Sequence, residues 1–264
     1  MRSLTKKVVR KILAAGGYRI ERLSEDGKLS EGKIVELDRS ELEFVNHVMD
    51  SGYTMTSIPR LVNTLKACRY VLDNNIRGDF VECGVWRGGN GILAKKIFQY
   101  FGSDKKVWMF DTFEGMTKPT DFDVEASTNV GAEKKYSESQ QESHNEWCFA
   151  SLEDVKKNCV DSGLGESDFY FVKGDVCQTL RMPENVPSEI SVLRLDTDWY
   201  ESTKVELEVL YPNLAERGVL IIDDYGHWEG SRKAVDEYFS SKNYKPLFNV
   251  IDYTGRSAIK CEVK

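Results

Sequence analysis

Two hydrophobic periods alternate along this chain. Ile58, Leu61, Val62, Leu65, Cys68 and Leu72 recur at helical spacing and predict one long amphipathic helix. Short apolar runs follow, each ending in an acid: Asp79–Cys83 with Glu82 before Gly84, Val107–Phe110 before Asp111, Phe169–Val172 before Lys173-Gly174-Asp175, Ile190–Leu195 before Asp196, and Val219–Ile222 before Asp223-Asp224. Between them lie helical patterns at Ile92–Phe98, at 201–213 around Val205, Val209 and Leu210, and at 229–240 around Ala234, Val235, Tyr238 and Phe239. Strands alternating with helices make βαβ units. The expected fold is therefore α/β, a doubly wound and mostly parallel sheet. Residues 246–250 and 257–263, around Asp252-Tyr253-Thr254-Gly255, read as an antiparallel closing hairpin. Residues 118–146 are polar and aperiodic. A loop of that length directly after Asp111 is expected to be a mobile lid over a site.

Composition narrows the class. With 264 residues, 41% of them hydrophobic, the chain can bury a full core. Its formal net charge of −7 argues against a general nucleic-acid partner. No apolar run approaches the length of a membrane span, and the first 22 residues do not read as a signal peptide, so a cytoplasmic protein without integral membrane contact is expected. The six cysteines form no CxxC pair, and none of His47, His144 and His227 sits at metal-pair spacing. Any metal here would be a hard cation on carboxylates. Arg2, Lys6, Lys7, Arg10, Lys11, Arg19 and Arg22 face only Glu21 in the first 22 residues. A basic amphipathic helix is expected there, within an N-terminal segment 1–56 that acts as a lid or subunit contact.

The chemistry concentrates at strand ends, where open parallel sheets bind ligands. Glu82-Cys83-Gly84-Val85-Trp86-Arg87-Gly88-Gly89 leads a strand through a glycine-rich turn into a helix. It lacks the G-x-G-x-x-G order of a dinucleotide site and suits a nucleoside with a small charged tail. Asp111, one βα unit later, is placed to accept both hydroxyls of a ribose. Asp196-Thr197-Asp198 and Asp223-Asp224 close two successive strands. If those strands are neighbours, clustered carboxylates either share a proton or bind a cation. A helix cap explains one Asp per turn but not both pairs.

The stretches Phe80–Gly89, Phe110–Met116, Lys173–Val176, Leu193–Thr203 and Ile221–Gly226 resemble the macrocin O-methyltransferase (TylF-type) family, from about Tyr53 to the C-terminus. The resemblance implies a class I methyltransferase domain over 57–264 and an S-adenosylmethionine- and Mg²⁺-dependent enzyme of antibiotic biosynthesis. Its acceptor is a glycoside or polysaccharide hydroxyl, and its assembly a homo-oligomer. It further implies that Thr56, Glu82, Gly84, Gly88, Asp111, Gly174 and Asp175 hold the cofactor. Asp196, Asp223 and Asp224 match the metal ligands and Asp198 the general base, with His227 as a rival base. The position of Thr197 is more usually Gly in that family. Competing readings are a nucleotide-sugar dehydrogenase and a non-catalytic glycan-binding protein.

Overall fold

In the computed structural model, residues 34–261 are described. The chain divides into a short unit, Met1–Asp38, and a main unit, Arg39–Lys264, which carries every element named below. The basic amphipathic helix expected in the first 22 residues lies outside the described residues.

Five strands of the main unit are parallel: β1 (Asp79–Cys83), β2 (Val107–Asp111), β5 (Phe169–Lys173), β6 (Ile190–Leu195) and β7 (Leu214–Ile222). The C-terminal strands β8 (Asn249–Val250) and β9 (Arg256–Ile259) run antiparallel, β9 against β7, giving the order β5-β2-β1-β6-β7-β9-β8. The expected α/β sheet and its antiparallel hairpin are both present. Central strands β1 and β6 are almost wholly buried because helices cover both faces, which is why they read as apolar runs rather than alternating ones.

The long helix α2 (Ile58–Asp73) begins where Ser57 accepts a hydrogen bond from the backbone of Arg60 and Pro59 fills the first turn. Helix α1 (Arg39–Asp50) packs with α2 on α3 (Gly89–Tyr100), the helix that follows the glycine turn. On the other side of the sheet core, α7 (Tyr200–Val209) packs along α8 (Glu229–Ser240). Strand β7 starts five residues earlier than the apolar run predicts. Leu214 pairs with Ile190, and Arg217, with φ 63°, marks the irregularity before the regular ladder at Val219.

The segment 118–146 has elements of its own: a two-stranded ribbon, β3 (Val124–Glu125) with β4 (Val130–Gly131), then α4 (Glu133–Glu138). Asp123 is fully buried, and its carboxylate accepts the backbone N–H of Tyr200 at 2.8 Å and that of Thr120 at 2.6 Å. Ala126 donates to the carbonyl of His227 at 2.8 Å. Contacts distant in sequence therefore order a segment whose own composition predicts only a loop. Helix α5 (Leu152–Asp161) follows, capped by Ser151. Among the described residues, no helix is long and apolar enough to cross a membrane.

Candidate active site

The strand order reverses between β1 and β6, and the two chains leave the sheet there side by side. Asp196 donates its N–H to Cys83 at 2.8 Å, while Gly84 donates to Phe110 at 2.8 Å. A Cβ on Gly84 would overlap the carbonyl oxygen of Asp196, and its φ of 80° also favours glycine. The glycine turn and the acid edge thus touch through backbone atoms.

Asp111, at the end of β2, organises that turn. Its carboxylate accepts N–H groups from Val85 (2.7 Å), Trp86 (3.1 Å) and Phe113 (2.8 Å). Burial pushes its carboxyl up, and these donors pull it back toward the ionised form. Thr56 accepts from Asn90 Nδ2 at 3.0 Å. Gly174, at φ 135°, donates to the Asp111 carbonyl, and Asp175 caps the short helix α6 (Val176–Thr179) through the Cys177 N–H at 2.8 Å. Thr56, Gly84, Asp111, Gly174 and Asp175 share one cavity of about 280 Å³. Glu82 and Gly88 do not line it. Gly88 is the N-cap of α3, and Glu82 lies inside the sheet.

The same cavity is bordered by Asp196, Asp198, Asp223 and Asp224. Asp196, Asp198 and Asp224 each bring a carboxylate oxygen within 4.8 Å of the other two. Asp198 does so from the left-handed region, φ 68°, so the segment turns rather than running extended as side chains two apart would require. Its Oδ2 accepts the indole N–H of Trp228 at 3.1 Å. Burial and the neighbouring acids push Asp198 up to about 7, and they hold Asp196 and Asp224 well above the usual carboxylate range. Asp198 and Asp224 are hydrogen-bonded to each other, an arrangement in which one of them carries a proton. Thr197 has no left-handed backbone and so does not need to be glycine. Its hydroxyl donates to buried Glu206 at 2.8 Å.

Asp223 sits apart from that trio in a different environment. Its two oxygens are taken by the guanidiniums of Arg194 and Arg60. Arg194 is fully buried and also bridges Glu82 Oε1 at 2.7 Å and Asp196 Oδ2 at 2.6 Å. Glu82 and Arg194 are cross-strand partners on β1 and β6, so register alone sets this pair. Arg60 is held in turn by Asp252 at 3.1 Å and Ser57 at 3.2 Å. The arginines are the residues that motif reading passes over. An arginine next to the end of the apolar strand Ile-Ser-Val-Leu-Arg-Leu is itself a signal, because a buried charge requires partners.

Beside the acids is an aromatic wall. Trp147, Trp199 and Trp228 contact one another with ring centroids 5.0–6.0 Å apart, and Met116 and Ala132 pack on them. Trp147, Trp228 and Met116 line the cavity, as does Lys135 of α4, whose ammonium lies 4.0 Å from the Trp147 ring centre. His227 also lines it, with burial lowering its pKa.

A parallel sheet in this order, closed by an antiparallel hairpin and bearing its site at the point of reversal, is the class I methyltransferase fold. The chain belongs to the macrocin-O-methyltransferase (TylF) family, whose model matches residues 25–257, and is with it an O-methyltransferase. The O-methyltransferase NovP superposes with a TM-score of 0.69 at 30% identity, over 80% of this chain and 83% of its own. The 8-demethyl-8-(2,3-dimethoxy-alpha-L-rhamnosyl)-tetracenomycin-C 4'-O-methyltransferase of Streptomyces olivaceus is 34% identical over 207 residues, 77% of this chain and 74% of the relative. The demethyldecarbamoylnovobiocin O-methyltransferase of Streptomyces niveus is 34% identical over 208 residues, 78% of this chain and 74% of the relative.

Proposed function

We propose that this O-methyltransferase moves a methyl group from S-adenosylmethionine to a sugar hydroxyl of a glycosylated natural product. The observation that carries the reading is the convergence of Asp196, Asp198 and Asp224 within 4.8 Å, in the cavity that also holds Asp111 and the glycine turn. The family membership and the glycosylated molecules in the relatives' names support the acceptor class.

The cofactor fits the turn side of the cavity. Gly84 and Thr56 would flank its methionine portion, Asp111 its ribose, and Gly174-Asp175 its adenine. The donor set on the other side is all oxygen, and burial and the neighbouring acids push its carboxyls toward protonation against the pull of Arg194, so a hard divalent cation such as Mg²⁺ suits it. Asp196 and Asp224 would hold that cation, which, bound, acidifies and orients the acceptor hydroxyl. Mg²⁺ needs no more than one or two carboxylates when substrate and water complete its shell, so Asp223 can stay with its arginines.

Asp198 takes the acceptor proton in this reading. It is pushed up to about 7, the range a base needs near neutral pH, and the Trp228 N–H fixes its orientation. The 118–146 segment covers the site and keeps water from the sulfonium. Methyl transfer from labelled S-adenosylmethionine to a panel of glycosides, with and without EDTA, tests this. Turnover lost in EDTA and restored by Mg²⁺ is expected, and full turnover in EDTA refutes the cation.

A further inference from the structure

Two cavity-lining features have no task in the scheme above: the indole of Trp147 and the ammonium of Lys135, both from the chain that follows β2. Trp147 is only partly buried, although Trp199 and Trp228 beside it are 2% and 6% exposed. Those two have their indole N–H groups satisfied, Trp199 by the Thr117 carbonyl at 3.0 Å and Trp228 by Asp198. They form a fixed backing. Trp147 stands on that backing and lines the cavity.

Lys135 is unusual on its helix. Lys134 pairs with Glu138, and Lys118 reaches Glu133, whereas among the described residues Lys135 has no carboxylate partner. Its exposed side chain lays the ammonium on the Trp147 ring. A molecule that stacks there displaces it from the ring face toward its own edge, where the N–H donors are available. Ring surface and free donors in the same cavity as the carboxylates describe a pocket for a flat molecule that is apolar on its faces and hydroxylated at its edge. A pyranose ring has that shape. Its axial C–H groups make an apolar face, and its equatorial hydroxyls radiate outward.

We propose that Trp147 is the stacking platform for the acceptor sugar, and that Lys135 donates to a ring hydroxyl that is not methylated. In this arrangement the hydroxyl on the far edge of the stacked ring points at Asp196, Asp198 and Asp224. Trp147 and Lys135 thus decide which pyranoside is accepted and which hydroxyl is presented. The proposal rests on the methyltransferase reading of the same cavity and adds to it the wall that selects the acceptor.

The test uses the full chain with bound S-adenosylhomocysteine and Mg²⁺, and methyl α-L-rhamnopyranoside as probe, with sorbitol as a polyol that has no ring face. Saturation-transfer NMR should mark the C–H protons of one rhamnoside face and leave sorbitol unmarked. Trp147→Ala should raise the probe's Kd roughly tenfold or more, and Trp147→Phe should restore most of that loss. Lys135→Met should weaken the probe by a few-fold and keep the marked face. S-adenosylhomocysteine affinity should be unchanged in all three variants, which also shows that they fold. An unchanged Kd in Trp147→Ala, equal marking of sorbitol, or no rhamnoside signal from a protein that binds S-adenosylhomocysteine overturns the platform. Failure to bind S-adenosylhomocysteine at all overturns the underlying cofactor reading instead.

Discussion

Two acidic clusters lie side by side at the carboxyl end of this sheet, and they are built in opposite ways. In the inner one, Glu82, Asp223 and one oxygen of Asp196 surround the guanidinium of Arg194, with Arg60 closing the far side. In the outer one, Asp198, Asp224 and Asp196 meet with only the Trp228 N–H, a shared proton and the edge of Arg194 to ease them. The inner cluster carries its counter-charge as part of the chain and links β1, β6 and the end of β7. The outer one lacks a full counter-charge and so has something left to bind. Proximity of carboxylates alone does not separate scaffold from site. The presence of an internal cation does.

Breaking the inner cluster should have the largest effect. Arg194→Met leaves buried carboxylates without a partner and should cost about 3–5 kcal/mol of stability by urea denaturation. A variant as stable as the parent would show that the inner acids are already neutral. Asp223→Asn belongs to the same cluster and should lower stability while leaving Mg²⁺ affinity within a few-fold by calorimetry. A loss of Mg²⁺ binding there would move Asp223 to the outer cluster.

Next in size is the outer cluster itself. Asp198→Asn should lower kcat by about 10²-fold or more while S-adenosylhomocysteine affinity stays unchanged. Asp224→Asn should instead raise the Mg²⁺ concentration needed for half-maximal rate, with turnover partly recovered at high Mg²⁺. The two kinetic signatures sharpen the contrast between base and ligand within one trio.

The smallest expected effect is on pH dependence. Asp198 is pushed up to about 7 and Glu206 to about 8, both by burial. A carboxyl whose folded pKa is raised binds its proton more tightly in the folded state. That contribution to stability is complete below about pH 4 and is lost as pH rises through the folded value. The metal-free melting temperature should therefore fall between pH 6 and 8.5, and saturating Mg²⁺ should flatten the part due to the outer cluster. A melting temperature that rises over this range contradicts the assignment of shared protons.

Much of this was legible in the residue pattern, and the reason is physical. Parallel strands covered on both faces must be apolar throughout, so β1, β2, β5, β6 and β7 stand out, and the acids that follow them mark the ligand edge. The pairing of Asp196-Thr197-Asp198 with Asp223-Asp224 across neighbouring strands follows from topology alone. What the pattern hides is partner choice. Nothing local in Ile-Ile-Asp-Asp says that the first acid turns to two arginines, one of them from a helix 163 positions earlier, and the second to the cavity. The ribbon and helix within 118–146 are hidden for the same reason, since buried Asp123 and Ala132 are fixed by Tyr200, Trp199 and Trp228.

Gly84 carries a last consequence. Because its Cα rests on the Asp196 carbonyl, the turn that would take the cofactor and the edge that would take the cation are one piece of backbone. Neither half is free to drift without disturbing the other, so a lineage adapting this enzyme to a new acceptor has little freedom on the floor of the cavity. The freedom lies at Trp147 and Lys135, in the excursion between β2 and β5, where side chains meet the site through a ring surface and a single flexible cation. Selection for new acceptors is expected to write its record there, at Trp147 and Lys135, while the paired acids, Gly84 and the buried anchor Asp123 stay in place.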